Sequence, residues 1–332
     1  MIRVTRRTFL SSAAAAVMLP AGLQASPRLL RADPATLQIL PAGYDATPLW
    51  GFNGSTPGPE VRVRQGDTVN LRFENKTSQP SAIHWHGIRL KNAMDGVPGL
   101  TQPLVQPGDS FDYSFQAPDA GTYWYHSHHR SWEQVARGLY GPLIIEEHDP
   151  PAVDADITVT VDDRRIDESG ALMGGFGNMH DFAHAGRLGN NAMILPSQGS
   201  VRLGDRVRLR VINTATARVF PLRFTGLKAK VVALDGMPLL APRDLEDVQL
   251  APAQRMDVIG DVTGEVAVLF LARDAAHEMG KIALSGENPA PATTDIPSLP
   301  AATVAVPGAT PDHTVRLVME GGAMGGAHAG DD

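Results

Sequence analysis

Cysteine is absent from all 332 residues of the sequence. Its absence excludes disulfides, zinc–thiolate sites, iron–sulfur clusters, thiol nucleophiles and every copper–thiolate centre. Charge is balanced rather than concentrated, with 29 Lys and Arg against 36 Asp and Glu and a net charge of −7. Because runs of Lys and Arg are missing, the composition gives no reason to expect nucleic acid or an anionic membrane surface as a partner.

The N-terminal segment has the features of an export signal. Arg6 and Arg7 precede Phe9 and a short apolar stretch over 13–19, which is too short to span a bilayer as a permanent helix. A pair of arginines in this setting resembles the twin-arginine signal of bacteria. We therefore predict a signal peptide over 1–25 and a periplasmic mature chain. No membrane anchor is expected, since no later apolar segment reaches membrane-spanning length.

The rest of the sequence has the pattern of an all-β protein. Short runs that alternate apolar and polar residues recur between Gly, Pro, Asn and Asp, and long helical periodicity is scarce. Residues 60–73 predict a strand, a Gly-Asp turn and a second strand, and residues 200–213 repeat that pattern. The two segments align as Gly66 with Gly204, Asp67 with Asp205, Val69 with Val207, Leu71 with Leu209, Arg72 with Arg210 and Asn75 with Asn213. The chain therefore contains an internal repeat.

The repeat predicts tandem β-sandwiches, each built from two antiparallel sheets. We place the first over 26–149 and the second over 150–284, with the boundary in a Pro-rich segment. Residues 285–311, rich in Pro, Ala and Thr, are predicted to form a linker. The alternating segment Val315–Met319 is interpreted as the opening strand of a third unit, which is truncated within 312–332.

Histidine is concentrated in the first unit, where five of the eleven residues fall between His84 and His129. Four of them form two His-x-His pairs, His84 with His86 and His126 with His128. Because alternate side chains of a strand point to the same face, each pair projects two imidazoles in one direction. Imidazole nitrogen suits copper, zinc, iron and nickel, so the four residues predict a metal site without choosing the metal.

The second unit is an internal control for this prediction. It keeps the two strands but has Arg223, Thr225, Leu269 and Leu271 where the first unit has histidine. The strands therefore do not require histidine at these positions. This comparison favours metal ligation over ordinary core or surface histidines.

Residues around these motifs have simpler interpretations. Trp85 and Trp124 are predicted to pack inside the sandwich, and His129 is assigned a structural role. A Gly-rich segment of the second unit carries ligands that could handle copper in transit, although a mobile loop is the simpler interpretation. Its ligands are Met173, Met179, His180 and His184, and a weaker set near the end of the chain is Met319, Met324 and His328.

Several motifs of the first unit resemble the first domain of multicopper oxidases, the family of laccases and bacterial copper-resistance oxidases. They are FNGSTPGP from Phe52 to Pro59, HWHG from His84 to Gly87, DGVP from Asp95 to Pro98, Thr101-Gln102, and GTYWYHSH from Gly121 to His128. Their order and spacing match the family, and the resemblance extends through a second domain to about Gly264. It implies cupredoxin-like Greek-key sandwiches.

The resemblance also implies a role for each histidine. His84 would bind a type 2 copper, and His86, His126 and His128 would bind a type 3 copper pair, of which His86 and His126 share one ion. Three such coppers reduce dioxygen to water with electrons that a type 1 copper takes singly from a phenolic or cuprous donor. Asp95 matches an acid that helps to deliver protons to the oxygen site, and it is the candidate catalytic residue.

The sequence contains only half of the cluster histidines that the resemblance implies. The family places four further cluster histidines, and a cysteine for the type 1 copper, in its last domain, and this sequence contains neither stretch. We therefore interpret the chain as the N-terminal part of a longer three-domain oxidase. The alternative is a complete short periplasmic copper-binding or scaffold protein without oxidase activity. A third interpretation, a zinc hydrolase that uses three of the histidines, lacks an evident general base.

Overall fold

The computed structural model describes residues 27–302 except residue 42, together with 304, 310–311 and 313–318. These residues form an all-β structure, as predicted. The signal peptide predicted over 1–25 lies outside the described residues, so export remains a prediction; Met319, Met324 and His328 lie outside them as well. Within the described part of the chain, no helix combines the length and the hydrophobicity needed to cross a bilayer.

Eight strands form the first unit, arranged as two four-stranded sheets. In chain order they are β1 (Arg28–Leu37), β2 (Thr47–Phe52), β3 (Val61–Arg64), β4 (Thr68–Asn75), β5 (Ile83–His86), β6 (Ser110–Gln116), β7 (Gly121–Ser127) and β8 (Tyr140–Glu146). The strand order is β2-β1-β4-β6 in one sheet and β3-β8-β7-β5 in the other. The connections contain a 3-10 turn (Asn92–Met94) and a short helix (Ser131–Gln134).

Alternating side chains build the core between these two sheets. In β4, Val69, Leu71 and Phe73 are buried, while the polar residues between them face outward. Trp85 of the other sheet enters the same core and lies edge-on to Tyr113, with 5.3 Å between the ring centroids. The inward orientation predicted for Trp85 is therefore confirmed. Fully burying a large apolar side chain of this kind contributes about 1.5–3 kcal/mol to stability.

Nine strands form the second unit. They are β9 (Ala155–Arg164), β10 (Asn191–Pro196), β11 (Ser200–Leu203), β12 (Arg206–Asn213), β13 (Phe220–Leu234), β14 (Met237–Asp244), β15 (Val248–Leu250), β16 (Arg255–Leu271) and β17 (Ala276–Glu287), with a short helix (Met179–Ala183) between β9 and β10. The first half of the long strand β16 pairs with β12, and its second half pairs with β17. Side chains from both halves meet in one hydrophobic cluster, so the sheet wraps around a single core.

The internal repeat is present in the structure. Gly66 and Gly204 occupy equivalent turns with φ of +88° and +83°, a backbone conformation that favours glycine. Asn75 and Asn213 are both fully buried at the ends of β4 and β12. Each amide nitrogen donates to two backbone carbonyls, and each amide oxygen accepts the backbone N–H two residues later. The two units therefore use the same buried amide to hold the chain after the equivalent strand.

Two segments near the C-terminal side differ from the sequence-based expectations. Among the described residues, 313–318 form no strand and Val315 is 82% exposed, and the assignment of 312–332 to a truncated third unit stays a prediction. A strand without a neighbour leaves its backbone hydrogen bonds to solvent. The segment 285–311 was expected to be a linker, but Leu299 within it is buried in a small cluster with Ile259. Part of that segment therefore packs on the second unit.

Candidate metal centre

Strands β5 and β7 bring the two His-x-His pairs side by side. The strands are antiparallel neighbours, with His84 opposite His126 and His86 opposite Trp124. Because side chains of a strand repeat every two residues, His84 and His86 project from one face of this sheet. The intervening side chains of β5 point into the hydrophobic core of the first unit. His126 and His128 extend the same face along β7 and the residue that follows it.

The second unit has the same strand register without the histidines. Arg223 on β13 lies opposite Leu269 on β16, as His84 lies opposite His126. The Arg223 guanidinium instead donates two hydrogen bonds to the Asp247 carboxylate, at 2.8 and 2.6 Å. The strand pair is therefore a scaffold that folds with or without imidazoles.

The four imidazole rings are neighbours. His86 Nδ1 lies 3.3 Å from His126 Nε2, and one ring nitrogen from each of His84, His86 and His126 lies within 4.8 Å of the others. The ring of His128 has its centroid 5.2 Å from that of His84 and 6.3 Å from that of His126. The donor set is all nitrogen and close enough for shared or adjacent ions, so these residues fit a transition-metal centre.

Backbone carbonyl groups orient two of the rings. His84 Nδ1 donates to the carbonyl oxygen of Asp95 at 2.8 Å, and His126 Nδ1 donates to the carbonyl oxygen of Ser127 at 2.9 Å. A carbonyl oxygen can only accept, so the hydrogen of each neutral ring is on Nδ1. The lone pair is therefore on Nε2 in both residues, which is the orientation that a metal ligand needs.

Asp95, the predicted catalytic acid, lies directly behind His84. It follows the 3-10 turn Asn92–Met94, and its Oδ1 is 3.4 Å from His84 Nδ1. Gly96 has a φ of +76°, and a Cβ at this position would overlap the carbonyl oxygen of Ile83. This close approach of the loop to β5 places both the carbonyl and the carboxylate of Asp95 beside the His84 ring.

Burial keeps the imidazoles of His86, His126 and His128 in the neutral form that binds metals. It lowers the pKa of His126 from 6.5 to about 3. Burial, with a further contribution from the positive charge of Arg255, lowers the pKa of His86 from 6.5 to about 4. The pKa of His128 is also lowered, again mainly by burial. A ligand that is already neutral at pH 7 need not release a proton before a metal binds.

Trp124 is part of the site, which corrects the prediction that it packs inside the sandwich of the first unit. Its ring centroid is 4.3 Å from that of His126 and 5.3 Å from that of His86. The residue is only 5% exposed and packs with Tyr140 and Ile212 in a cluster at the junction of the two units. The reason is the strand period: residues 124 and 126 differ by two and must share a face.

Arg255 is a residue of the site that the sequence analysis missed. It is buried at the start of β16, and its Nε donates to the Thr122 carbonyl at 3.2 Å on the strand that carries His126. Nη1 donates to the Ala253 carbonyl at 2.9 Å. A Cβ at Gly87, next to His86, would overlap the guanidinium. No local pattern marks this contact, because Arg255 and Thr122 are 133 positions apart.

The four histidines line an open pocket of about 350 Å³ between the two units. Trp124, Trp132 and Val135 form the wall from the first unit, and the second unit contributes the loop residues Ala215, Thr216, Pro252 and Ala253. Apolar side chains therefore surround the nitrogen donors and limit the access of water to them.

Comparison with known proteins identifies the family. Two multicopper oxidase models match the chain, over residues 35–150 and 164–273. The crystal structure of Lac15 from a marine microbial metagenome is 50% identical and superposes with a TM-score of 0.78, covering 85% of this chain and 73% of that one. The chain belongs to the multicopper oxidase family. The histidine site is therefore treated below as a copper site.

Other multicopper oxidase relatives match a similar part of the chain. Copper resistance protein A of Pseudomonas syringae pv. tomato is 32% identical over 81% of this chain, and Laccase-1 of Botryotinia fuckeliana is 34% identical over 67% of it. The matched region is 54% of the first protein and 40% of the second. The chain thus spans about half the length of the curated multicopper oxidases that it matches.

The remaining predicted ligands lie outside the four-histidine pocket. Met173 and Met179 are 42% and 71% exposed, and the segment predicted as a mobile loop contains the short helix Met179–Ala183. His180 and His184 stack at the two ends of this helix, with ring centroids 4.3 Å apart. His129 does not line the four-histidine pocket, in keeping with the structural role predicted for it.

Proposed function

We propose that this chain supplies half of the histidine ligands of the copper cluster at which a multicopper oxidase reduces dioxygen to water. The observation that carries the proposal is the pairing of His84 with His126 on adjacent strands, each with its Nδ1 hydrogen bonded to a carbonyl and its lone pair therefore on Nε2. The same strand pair in the second unit lacks histidine, which supports a role for these residues beyond folding.

The geometry supports the assignment of the histidines to different copper ions. His86 Nδ1 and His126 Nε2 approach to 3.3 Å, so we assign them to one ion of a type 3 pair and His128 to the other. His84, whose ring is oriented from behind by Asp95, is assigned to the type 2 ion. Copper, when bound, supplies the one-electron redox chemistry by which dioxygen accepts four electrons.

The chain's own residues position ligands and hold protons. The Asp95 carbonyl fixes the His84 ring, and its carboxylate, 31% exposed, can hold a proton between solvent and the site. Trp124 stacks against His126 and, with Val135, keeps water from the back of the rings. These roles need only contacts that the structure contains.

Electron entry requires residues that this chain does not contain. A type 1 copper needs a cysteine thiolate, and the sequence has no cysteine. Oxidation of a phenolic or cuprous donor is therefore proposed for the assembled oxidase, in which a part that contains cysteine supplies the type 1 site and the remaining cluster ligands. The chain by itself is expected to bind copper without blue absorption and without consuming dioxygen in the presence of either donor.

Copper titration of the purified chain tests this function. His84→Ala and His126→Ala should each lower the copper affinity of the pocket by about 10-fold or more, because each removes an oriented nitrogen ligand. His277→Ala, which changes an exposed histidine of β17, is the matched control and should leave binding unchanged. Equal binding by all four proteins in calorimetry and electron paramagnetic resonance would refute the assignment.

We also infer export of the folded chain through the twin-arginine pathway. The support is the Arg6-Arg7 pair followed by the apolar stretch over 13–19. Replacing both arginines by lysine should keep the protein in the cytoplasm of the producing bacterium. Cell fractionation measures this, and unchanged export of the double variant would contradict the inference.

A further inference from the structure

The short helix Met179–Ala183 presents a pair of histidines on the surface of the second unit. His180 and His184 are four residues apart, so they lie on the same side of successive turns. Both side chains are exposed. Their rings are nearly parallel, with an interplanar angle of 14° and a centroid separation of 4.3 Å.

Buried polar contacts hold the other side of this helix. Asn178 caps the helix, since its Oδ1 accepts the Asp181 backbone N–H at 2.8 Å. The buried Asp181 carboxylate accepts hydrogen bonds from Arg165 at 3.0 Å and from Asn178 Nδ2 at 2.9 Å. Asp181 thus turns inward, and the histidine pair turns to solvent. These contacts anchor the helix from its buried side.

One ring is already oriented as a metal ligand. His184 Nδ1 donates to the His180 carbonyl oxygen at 2.9 Å, which leaves the His184 Nε2 lone pair available. This is the arrangement found for His84 and His126 in the pocket, where a carbonyl also holds Nδ1. Two histidines at this helical spacing are also the pair by which one class of zinc enzyme holds its metal.

We propose that His180 and His184 together bind one divalent transition-metal ion, with Cu²⁺ held more strongly than Ni²⁺ or Zn²⁺. Two imidazole nitrogen ligands select for this class of cation, and the order follows the general preference of nitrogen ligands. The site is separate from the four-histidine pocket because it shares no residue with it. Water completes the coordination, so the ion is exchangeable.

The helix lies against the wall of the four-histidine pocket. Phe182 contacts Trp132 edge-on, with 6.1 Å between the ring centroids, and Trp132 lines the pocket. Gly177 has a φ of +68°, and a Cβ at this position would press on the Trp132 indole nitrogen. The helix therefore packs on the wall of the four-histidine pocket through Phe182.

Titration of the purified chain with Cu²⁺ alone tests the surface site. His180→Ala and His184→Ala should each weaken this site about 10-fold or more, because either change leaves a single ligand. The double variant should bind about one Cu²⁺ fewer per chain than the unchanged protein. Bound Cu²⁺ should also broaden the proton resonances of Phe182, which is two residues from each histidine in the sequence.

A spacing control separates chelation from general copper binding by histidine. Adding Ala185→His to the His184→Ala variant restores the number of histidines but places the pair five residues apart, so binding should remain weak. Full binding by this protein, or loss in only one of the two single variants, would overturn the proposal. The His84→Ala and His126→Ala variants should keep the surface site, so its failure and the failure of the pocket assignment are distinguishable.

Discussion

Two backbone carbonyls determine which nitrogen of His84 and of His126 faces the pocket. A free imidazole can place its hydrogen on either nitrogen, but the carbonyls of Asp95 and Ser127 accept only from Nδ1. The lone pairs on Nε2 are therefore set before any metal arrives. For His126, burial adds to this effect, because it disfavours the protonated ring that would compete with a metal.

The lowered pKa of His126 predicts a pH-dependent stability of the metal-free protein. Its pKa is about 3 in the folded state, against about 6.5 for an unfolded histidine. Between these values the unfolded chain binds more protons than the folded chain, so the free energy of unfolding rises with pH. The contribution of His126 to this free energy is lost as the pH falls from about 6.5 towards about 3. Urea unfolding at about pH 7, 5.5 and 4.5 measures the slope. His126→Gln should flatten it, and an identical slope in this variant would contradict the prediction.

Arg255 gives a second prediction for a single residue. Arg255→Met removes the donors to the Thr122 and Ala253 carbonyls and a buried positive charge beside His86. We expect a loss of about 1–3 kcal/mol of stability from the unsatisfied carbonyls. The pKa of His86 should rise from about 4, as measured by ring-proton NMR of the metal-free protein. Arg255→Lys keeps the charge and should shift this pKa less; equal shifts in both variants would argue against a charge effect.

The loop after β5 connects element geometry with the metal site. It returns so closely to the strand that Gly96 leaves no room for a Cβ beside the Ile83 carbonyl. The same turn delivers Asp95 to the back of His84. The position of the carbonyl that orients the ligand is therefore a property of the loop and the strand together.

Substitution of Gly96 tests this coupling. Gly96→Ala should destabilise the protein by more than Gly99→Ala, since both have positive φ but a Cβ at Gly99 meets open space. The strain of positive φ alone costs about 1–2 kcal/mol, which is the expected effect of Gly99→Ala. Gly96→Ala should in addition weaken copper binding by displacing the Asp95 carbonyl. Unfolding midpoints and copper titration measure the two effects, and similar values for the two variants would contradict the coupling.

Charged side chains connect the two units of the molecule. Arg62 of β3 contacts Asp156 of β9 at 3.2 Å, and Arg210 of β12 contacts the same carboxylate at 2.7 Å. Arg210 also donates to the Thr122 hydroxyl at 3.1 Å, on the strand that carries His126. The orientation of the second unit against the histidine strand thus depends on paired charges as well as on apolar packing.

Removal of one buried partner should be costly. Arg210→Met removes a buried cation from Asp156 and Asp257, which keep Arg62 and Arg208 respectively as partners, and we expect a loss of about 1.5–3 kcal/mol from the lost charged hydrogen bonds. Arg223→Met breaks a bidentate pair with Asp247 whose side chains are about half exposed, and should cost about 1 kcal/mol or less. Chemical unfolding of the two variants measures the difference. Equal losses would mean that burial does not strengthen these ion pairs.

Much of the fold and the site could be predicted because the signals are local. Alternation with period two indicated strands, the Gly-Asp turns and Asn75 with Asn213 revealed the repeat, and the His-x-His pairs placed ligands on one face. The position of Trp124 was also predictable from the sequence. It is two residues from His126, and the two-residue period of a strand places both side chains on one face. Residues 315–318 form no strand, because a strand depends on a partner strand that its own residues do not encode.

The sequence by itself determined which residues can bind a metal, the side of the strand on which they lie, and the absence of a thiolate centre. The tertiary structure alone decided the register of His84 against His126, the carbonyls that fix their rings, and the reach of Arg255 across the junction of the units. The physical reason is distance along the chain. Periodicity acts over neighbouring residues, whereas a contact between residues 133 positions apart exists only after both units have packed.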